Sequence, residues 1–218
     1  MTDYAAARLN MVEGQIRPNK VTDPSLITAL LAVPREQYVP KAARSIAYVD
    51  EDIPVATGRY LMEPMVLARL LQEAGVVDRD IALVVGCGTG YSSVIMARLC
   101  ATVVALESDP ELVRRATATL SEQGVENVAV VEGRLPDGYP QQAPYDVILI
   151  DGAVSQVPSA LLDQLAEGGR LVAVVSPEGR LGQARLFERR GDVVSSRVLF
   201  DANVRLLPGF EPVVGFQF

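Results

Sequence analysis

The feature that most constrains this 218-residue chain is a glycine-rich turn set between an apolar strand and a helix. Ile81–Val85 reads as the strand, Gly86-Cys87-Gly88-Thr89-Gly90 as the turn and Tyr91–Leu99 as the helix. A strand that turns sharply into a helix while its backbone approaches a ligand needs glycine, the one residue that permits both. Thr102–Leu106 reads as a second apolar strand, and Glu107 stands at its end, 21 residues beyond Gly86. A carboxylate at that place accepts both hydroxyls of a ribose, and about 20 residues is the separation expected in dinucleotide folds.

The spacing also selects among nucleotides. The NAD fingerprint asks for a third glycine three residues after the second, and Tyr91 stands there instead. S-adenosylmethionine (SAM) suits the pattern better. Cys87 reads as a small buried residue of the loop rather than a reactive thiol, since no cation lies near it in sequence.

The rest of the chain alternates in the manner of an α/β sheet. A helix capped by Ser108 or Asp109 carries Pro110 at its first position and ends near Gly124. Val128–Val131, Asp146–Ile150 and Arg170–Val175 read as further strands, and Pro158–Ala166 as a helix closed by Gly168-Gly169. Continuous apolar strands separated by helices predict a Rossmann-like, mostly parallel sheet with helices on both faces. Asp192–Phe200 and Pro212–Phe218 lack a strong helix between them and predict an antiparallel C-terminal edge, with Pro208-Gly209 as the turn.

Ahead of the sheet, residues 3–14 and 24–33 read as amphipathic helices, the second opened by Asp23 and Pro24. Pro34–Tyr60, with Pro34, Pro40, Pro54 and Gly58, reads as a loop-rich lid, and a helix starts at Glu63-Pro64 and runs to Gly75. The chain thus divides into a helical and lid extension over 1–75 and a SAM-binding sheet core over 76–218, within one domain.

Composition narrows the chemistry. There is no histidine, which removes Ser-His-Asp and Cys-His hydrolysis, imidazole acid–base catalysis and His-ligated zinc. Two cysteines, Cys87 and Cys100, are far from zinc spacing and suit a reduced, cytoplasmic setting. A net charge of -7 without a Lys/Arg cluster argues against nucleic acid as partner. No apolar run approaches the roughly 20 residues of a membrane span, and no signal peptide opens the chain. Burial of Met62 and Met65 within the chain, and hence a monomer, is the expectation.

From about Glu13 to Val175 the chain resembles the protein-L-isoaspartate O-methyltransferase family. Met11–Gln15, Val33-Pro34-Arg35-Glu36-Gln37-Tyr38-Val39-Pro40 and Ala47-Tyr48-Val49-Asp50 are similar to the family's N-terminal segments. Gly138-Tyr139-Pro140, Ala143–Leu149, Val157-Pro158 and Gly168–Val172 are similar to its later ones. The resemblance implies transfer of the SAM methyl to the free carboxylate of an isoaspartyl residue in a protein or peptide, with S-adenosylhomocysteine as the other product. A carboxylate is already ionised at neutral pH, so such a reaction needs no general base and a chain without histidine can perform it.

By the same resemblance, Gly86, Cys87, Gly88, Gly90, Tyr91, Glu107, Ser108, Gly133, Arg134 and Asp151 form the cofactor site, and residues 57–62 meet the substrate. Several positions depart from the family. Its active-site serine is Met62 here, which cannot donate a hydrogen bond. An acidic residue of its first strand is Val84, an Asp near the adenine is Arg134, and Asp151 begins a segment that differs after the fourth strand. Arg59 and Tyr60 are the candidates to replace the serine, Arg59 as a bidentate clamp for the acceptor carboxylate. Three readings stay open at this point: isoaspartyl methyltransferase, non-catalytic SAM-binding or interaction protein, and methyltransferase for another acceptor.

Overall fold

The computed structural model describes residues 3–177 and 181–211. Its apolar runs become the middle of a seven-stranded sheet. In chain order, a small hairpin comes first, formed by β1 (Ile53–Ala56) and β2 (Arg59–Leu61). The sheet then uses β3 (Ile81–Val85), β4 (Thr102–Glu107), β5 (Val128–Glu132), β6 (Tyr145–Val154), β7 (Leu165–Val175), β8 (Gln183–Arg190) and β9 (Val193–Asp201). Its spatial order is β5-β4-β3-β6-β7-β8-β9. The β3–β4, β3–β6, β4–β5 and β6–β7 pairs are parallel; β7–β8 and β8–β9 are antiparallel.

Period-two alternation assigns each strand residue to one of two cores. Ala82, Val84, Val103, Ala105, Val147, Leu149, Val172 and Val174 belong to one cluster. That cluster also takes Met11 from α1 (Tyr4–Met11), Leu26 and Leu30 from α2 (Pro24–Ala32) and Leu67 and Leu70 from α3 (Pro64–Ala74). Val94 of α4 (Tyr91–Ala97) and Ala116 of α5 (Pro110–Glu122) complete it. The N-terminal segment therefore shares its core with the sheet. Residues of the opposite parity, including Leu83, Val85, Ile148 and Ile150, form a second cluster. Its cover is thinner: the one-turn helix α6 (Ser159–Leu162), short 3-10 turns such as Leu135–Asp137, and Leu207 with Phe210 from the C-terminal segment.

Local chemistry sets the ends of the elements. Asp23 accepts from the amides of Ser25 and Leu26 with Pro24 at the first helical position, and Asp109 does the same for Glu111 and Leu112 ahead of Pro110. Asp109, rather than Ser108, is the cap. Gly75 ends α3 in the left-handed conformation.

Two expectations need correction, and a third is met in part. The lid is more regular than its prolines suggest, with 3-10 turns at Arg35–Gln37 and Lys41–Ile46 followed by the β1–β2 hairpin; Pro54 is tolerated because this two-stranded ribbon has only edge strands. The helix expected over Pro158–Ala166 stops at Leu162, since β7 already begins at Leu165 to pair with Tyr145. The expected antiparallel edge is present: β9 falls on Asp192–Phe200 and pairs with β8, a strand not expected at Gln183–Arg190, while the other expected strand, Pro212–Phe218, lies outside the described residues. Pro208-Gly209 does form a turn, closed by the Phe210 amide on the Leu207 carbonyl at 3.3 Å, but the turn belongs to a strap over the sheet.

Candidate functional site

The carboxyl ends of the parallel strands β3, β4 and β6 meet where the glycine loop leaves the sheet. Gly86 has φ 80°, a conformation open to glycine at little cost, and its amide and that of Cys87 both donate to the Leu106 carbonyl, at 2.8 and 3.1 Å. The loop is thereby tied to the end of β4, where Glu107 stands. Glu107 is fully buried. Its Oε2 accepts from the Gly88 amide at 2.8 Å, and its Oε1 from the amides of Ser108 and Asp109 at 2.7 and 3.1 Å. Gly133 lies beside it, its amide on the Glu107 carbonyl at 3.0 Å. The structure thus brings Gly86, Cys87, Gly88, Glu107, Ser108 and Gly133 together.

Arg59 of the β1–β2 hairpin joins this group from above. Its guanidinium is bidentate on Glu107, Nη1 to Oε1 at 2.7 Å and Nη2 to Oε2 at 2.6 Å, and Nη2 also donates to the Gly86 carbonyl at 2.9 Å. Both side chains are buried. Paired fork to fork, with backbone amides on the remaining lone pairs, two charges in a dry environment hold each other in place. Expected as a substrate clamp, Arg59 here faces Glu107.

The other expected residues distribute around it. Met62 is buried, and its carbonyl accepts from Arg35 Nη2 at 2.7 Å. Tyr60 is half-buried with the Arg205 guanidinium 5.5 Å from its ring centre. Tyr91 is fully buried, edge-on to Tyr38 and under the Arg35 guanidinium, so its side chain serves the core while its backbone opens α4. Gly90 packs closely on α5, with a Cβ there reaching within 3.6 Å of Ala116. Arg134 is largely exposed and pairs with Asp137 at 3.3 Å, outside the cleft. Cys87 is buried, and desolvation with the nearby Glu107 and Asp151 charges pushes its thiol well above the ordinary range. A thiol so held stays neutral.

Asp151 is buried at the carboxyl end of β6. Its Oδ2 accepts from Ser92 Oγ at 2.5 Å, while Oδ1 has no partner among the described residues. Desolvation raises its pKa to about 6 against the opposing pull of Ser92, Arg59 and Arg35. Arg35 was not singled out for the site by sequence. Buried, it donates to the Ala47 and Met62 carbonyls, both at 2.7 Å, and ties the lid to α3's approach. Its position inside the Val33–Pro40 segment was the available signal.

Leu207 is the second residue that sequence missed, and nothing in its surroundings marks it. The strap Ala202–Phe210 crosses β6, with Ala153 N on Arg205 O at 2.9 Å, Leu207 N on Ala153 O at 2.8 Å and Ser155 N on Phe210 O at 3.2 Å. Gly152 is the close approach: a Cβ there would stand 2.5 Å from Leu207 Cγ. A Cβ on Gly86 would stand 3.0 Å from the Leu207 methyls and 3.3 Å from Arg59 Nη2. What remains between Met62, Asp151, Gly152 and Leu207 is a void of about 10 Å³, room for about one water molecule. The donor set therefore suits a SAM nucleoside and amino acid, but the cradle over the glycines is filled by the chain's own side chains.

A family model described as Protein-L-isoaspartate(D-aspartate) O-methyltransferase (PCMT) matches residues 7–208. A protein-L-isoaspartate O-methyltransferase of Methanoculleus marisnigri is 37% identical over 186 residues, covering 85% of this chain and 84% of that one. One from Parvibaculum lavamentivorans is 33% identical over 215 residues, 98% and 96% of the two chains. Among solved structures, a protein-L-isoaspartate O-methyltransferase superposes with a TM-score of 0.81 at 26% identity, over 93% of this chain and 66% of that one. A Plasmodium falciparum structure, described as a putative member in complex with S-adenosyl-L-homocysteine, shares the fold with a TM-score of 0.75 at 20% identity, over 95% of this chain and 99% of that one.

Proposed function

We propose a reading that starts from one premise: the chain belongs to the protein-L-isoaspartate O-methyltransferase family. Its function is SAM-dependent O-methyl transfer to isoaspartyl residues of proteins. The observation that carries this reading within the structure is the meeting of the glycine loop with the Glu107 carboxylate at the ends of β3 and β4.

SAM, when bound, supplies the sulfonium methyl. The chain's part is to bind, orient and keep out water. Glu107, held by the amides of Gly88 and Ser108, addresses the ribose side; Gly86, Cys87 and Gly90 give the backbone path, with Gly133 beside it. Asp151, with one oxygen unpartnered, offers an acceptor for a ligand N–H. Tyr91 acts by fixing α4 rather than by contact, and Arg134 lies at the rim. On the acceptor side, the Tyr60 hydroxyl and the Arg59 guanidinium, once free of Glu107, meet the isoaspartyl carboxylate where Met62 offers no donor. The acceptor is already anionic, so no side chain has to take a proton.

A protein or peptide acceptor, a cytoplasmic setting, a monomeric chain and no nucleic-acid partner complete the proposal. No helix among the described residues is long and apolar enough to cross a membrane. The test is incubation with an isoaspartyl peptide and methyl-labelled SAM, reading base-labile label on the peptide. Label on the isoaspartyl peptide and none on its aspartyl twin supports the reading. Label on neither, across several peptide sequences, would return the field to another acceptor or to SAM binding without transfer.

A further inference from the structure

The ribose carboxylate is in use. A ribose diol would present two O–H donors to the two oxygens of Glu107, and Arg59 presents two N–H donors to those same oxygens, at 2.7 and 2.6 Å. With the amides of Gly88, Ser108 and Asp109 on the remaining lone pairs, no direction is left for a further donor. The guanidinium and the diol are mutually exclusive.

A second group blocks the neighbouring volume. The Leu207 methyls rest 3.0 Å from where a Cβ on Gly86 would lie, and Leu207 Cγ lies 2.5 Å from the corresponding point on Gly152. The glycines that clear space for a ligand have that space taken by an apolar side chain. Arg59 and Leu207 come from segments far apart in the chain, and both converge on the one residue Gly86.

The two plugs sit on supports that have few backbone bonds to the sheet, although apolar residues of both are buried. β1 and β2 are three or four residues long and pair only with each other. The strap is bonded to Ala153 of β6 and to Ser155 just beyond it, with an isolated bridge between Ala153 and Leu206. It is held besides by the Ala202 amide on the Gly182 carbonyl at 2.9 Å and the Arg205 amide on Asp52 at 3.0 Å. By contrast, β3 is bonded along both edges.

We propose that the cleft is self-occupied: Arg59 stands in for the ribose on Glu107, Leu207 fills the cradle over Gly86 and Gly152, and SAM enters only as hairpin and strap withdraw. This rests on the SAM reading above and adds to it an internal competitor. A ligand that must displace such a competitor binds with its intrinsic affinity reduced by the fraction of open molecules.

The experiment titrates S-adenosylhomocysteine, which cannot react, into the full chain and into Leu207→Ala and Arg59→Ala, with amide hydrogen exchange followed in the wild type. The expected result is binding at least tenfold tighter in each variant, and faster exchange of the Leu207 and Phe210 amides when the wild type is saturated. Variants that bind no tighter, with those amides unchanged or slowed, overturn the self-occupied cleft and leave the SAM reading intact. No binding to the wild type or to any folded variant overturns both. Arg59→Ala strips a buried carboxylate of its partner; if circular dichroism shows it unfolded, Leu207→Ala alone decides.

Discussion

The floor of the cleft and its roof are built on different terms. The floor is β3, β4 and β6, parallel strands whose residues are almost all inaccessible and whose backbone bonds run unbroken from neighbour to neighbour. The roof is a hairpin and a strap, each held by few backbone bonds. Each sends one side chain, Arg59 or Leu207, onto Gly86, and anchors itself with buried apolar residues such as Ile53 and Leu61 or Val204 and Phe210. A buried parallel sheet opens only with global unfolding, whereas segments with few backbone bonds open locally at smaller cost. The teaching of the contrast is that the ligand-reading groups are fixed while the groups that exclude the ligand are removable.

The contrast breaks most readily by truncating one leucine in each layer. Leu149→Ala empties volume in β6 between helices and sheet and is expected to cost about 2–5 kcal/mol of global stability by urea denaturation. Leu207→Ala is expected to cost about 1 kcal/mol or less, because the strap can lift without unfolding the sheet. Equal losses would mean that roof and floor are one cooperative unit.

A sharper division comes from Asp151, which lies between the layers. Its pKa is about 6 in the fold against an ordinary 3.8, so the folded state holds the proton more tightly. The stability it confers is complete below about pH 4 and is lost as pH rises through 6. Asp151→Asn keeps an acceptor for Ser92 and cannot titrate. Between pH 4 and 7 the variant should lose that slope and gain as much as about 3 kcal/mol over the wild type at pH 7, read as Tm against pH. An unchanged slope would show that Asp151 is already hydrated in the closed cleft.

The smallest effect belongs to Glu63, which stands between the hairpin and α3. Glu63, raised to about 7 by desolvation and by the neighbouring Asp50, Asp52 and Glu51, destabilises the fold as pH climbs from 4.5 through 7. Glu63→Gln should flatten that part of the Tm profile by less than Asp151→Asn does, since Glu63 is half-exposed. A larger effect than that of Asp151→Asn would place the lid, not the buried Asp, in control of the pH response.

Legibility in sequence follows the same line. β3 was readable to the residue, and α2 and α5 began where their Asp-Pro starts put them, because burial on both faces and capping leave marks in residue type. Glu107 was singled out from its distance to Gly86 and its place at the end of the second strand, which the fold gives it. β9 was legible but β8 was missed, because its inward Ala184 and Leu186 alternate with Arg185 and sit ahead of Glu188-Arg189-Arg190, which reads as a solvated run. Arg59 and Glu107 were each singled out, yet their pairing was not: the choice between an external and an internal carboxylate depends on which way a three-residue strand faces. Leu207 gave no signal, since its role depends on two glycines about 55 and 120 residues away that only the fold brings beneath it.

The Arg59–Glu107 pair also sets how the protein responds to amount. Because both partners ride on one chain, their encounter has an effective molarity fixed by the fold, and dilution does not loosen it. A domain closed in about 99 of every 100 molecules would show an apparent dissociation constant about 100-fold above the intrinsic one. Its half-saturation point would then be set by the hairpin rather than by the ribose site, so substitutions at the turn of β1 and β2 retune the working range for ligand while leaving every ligand-contacting group untouched.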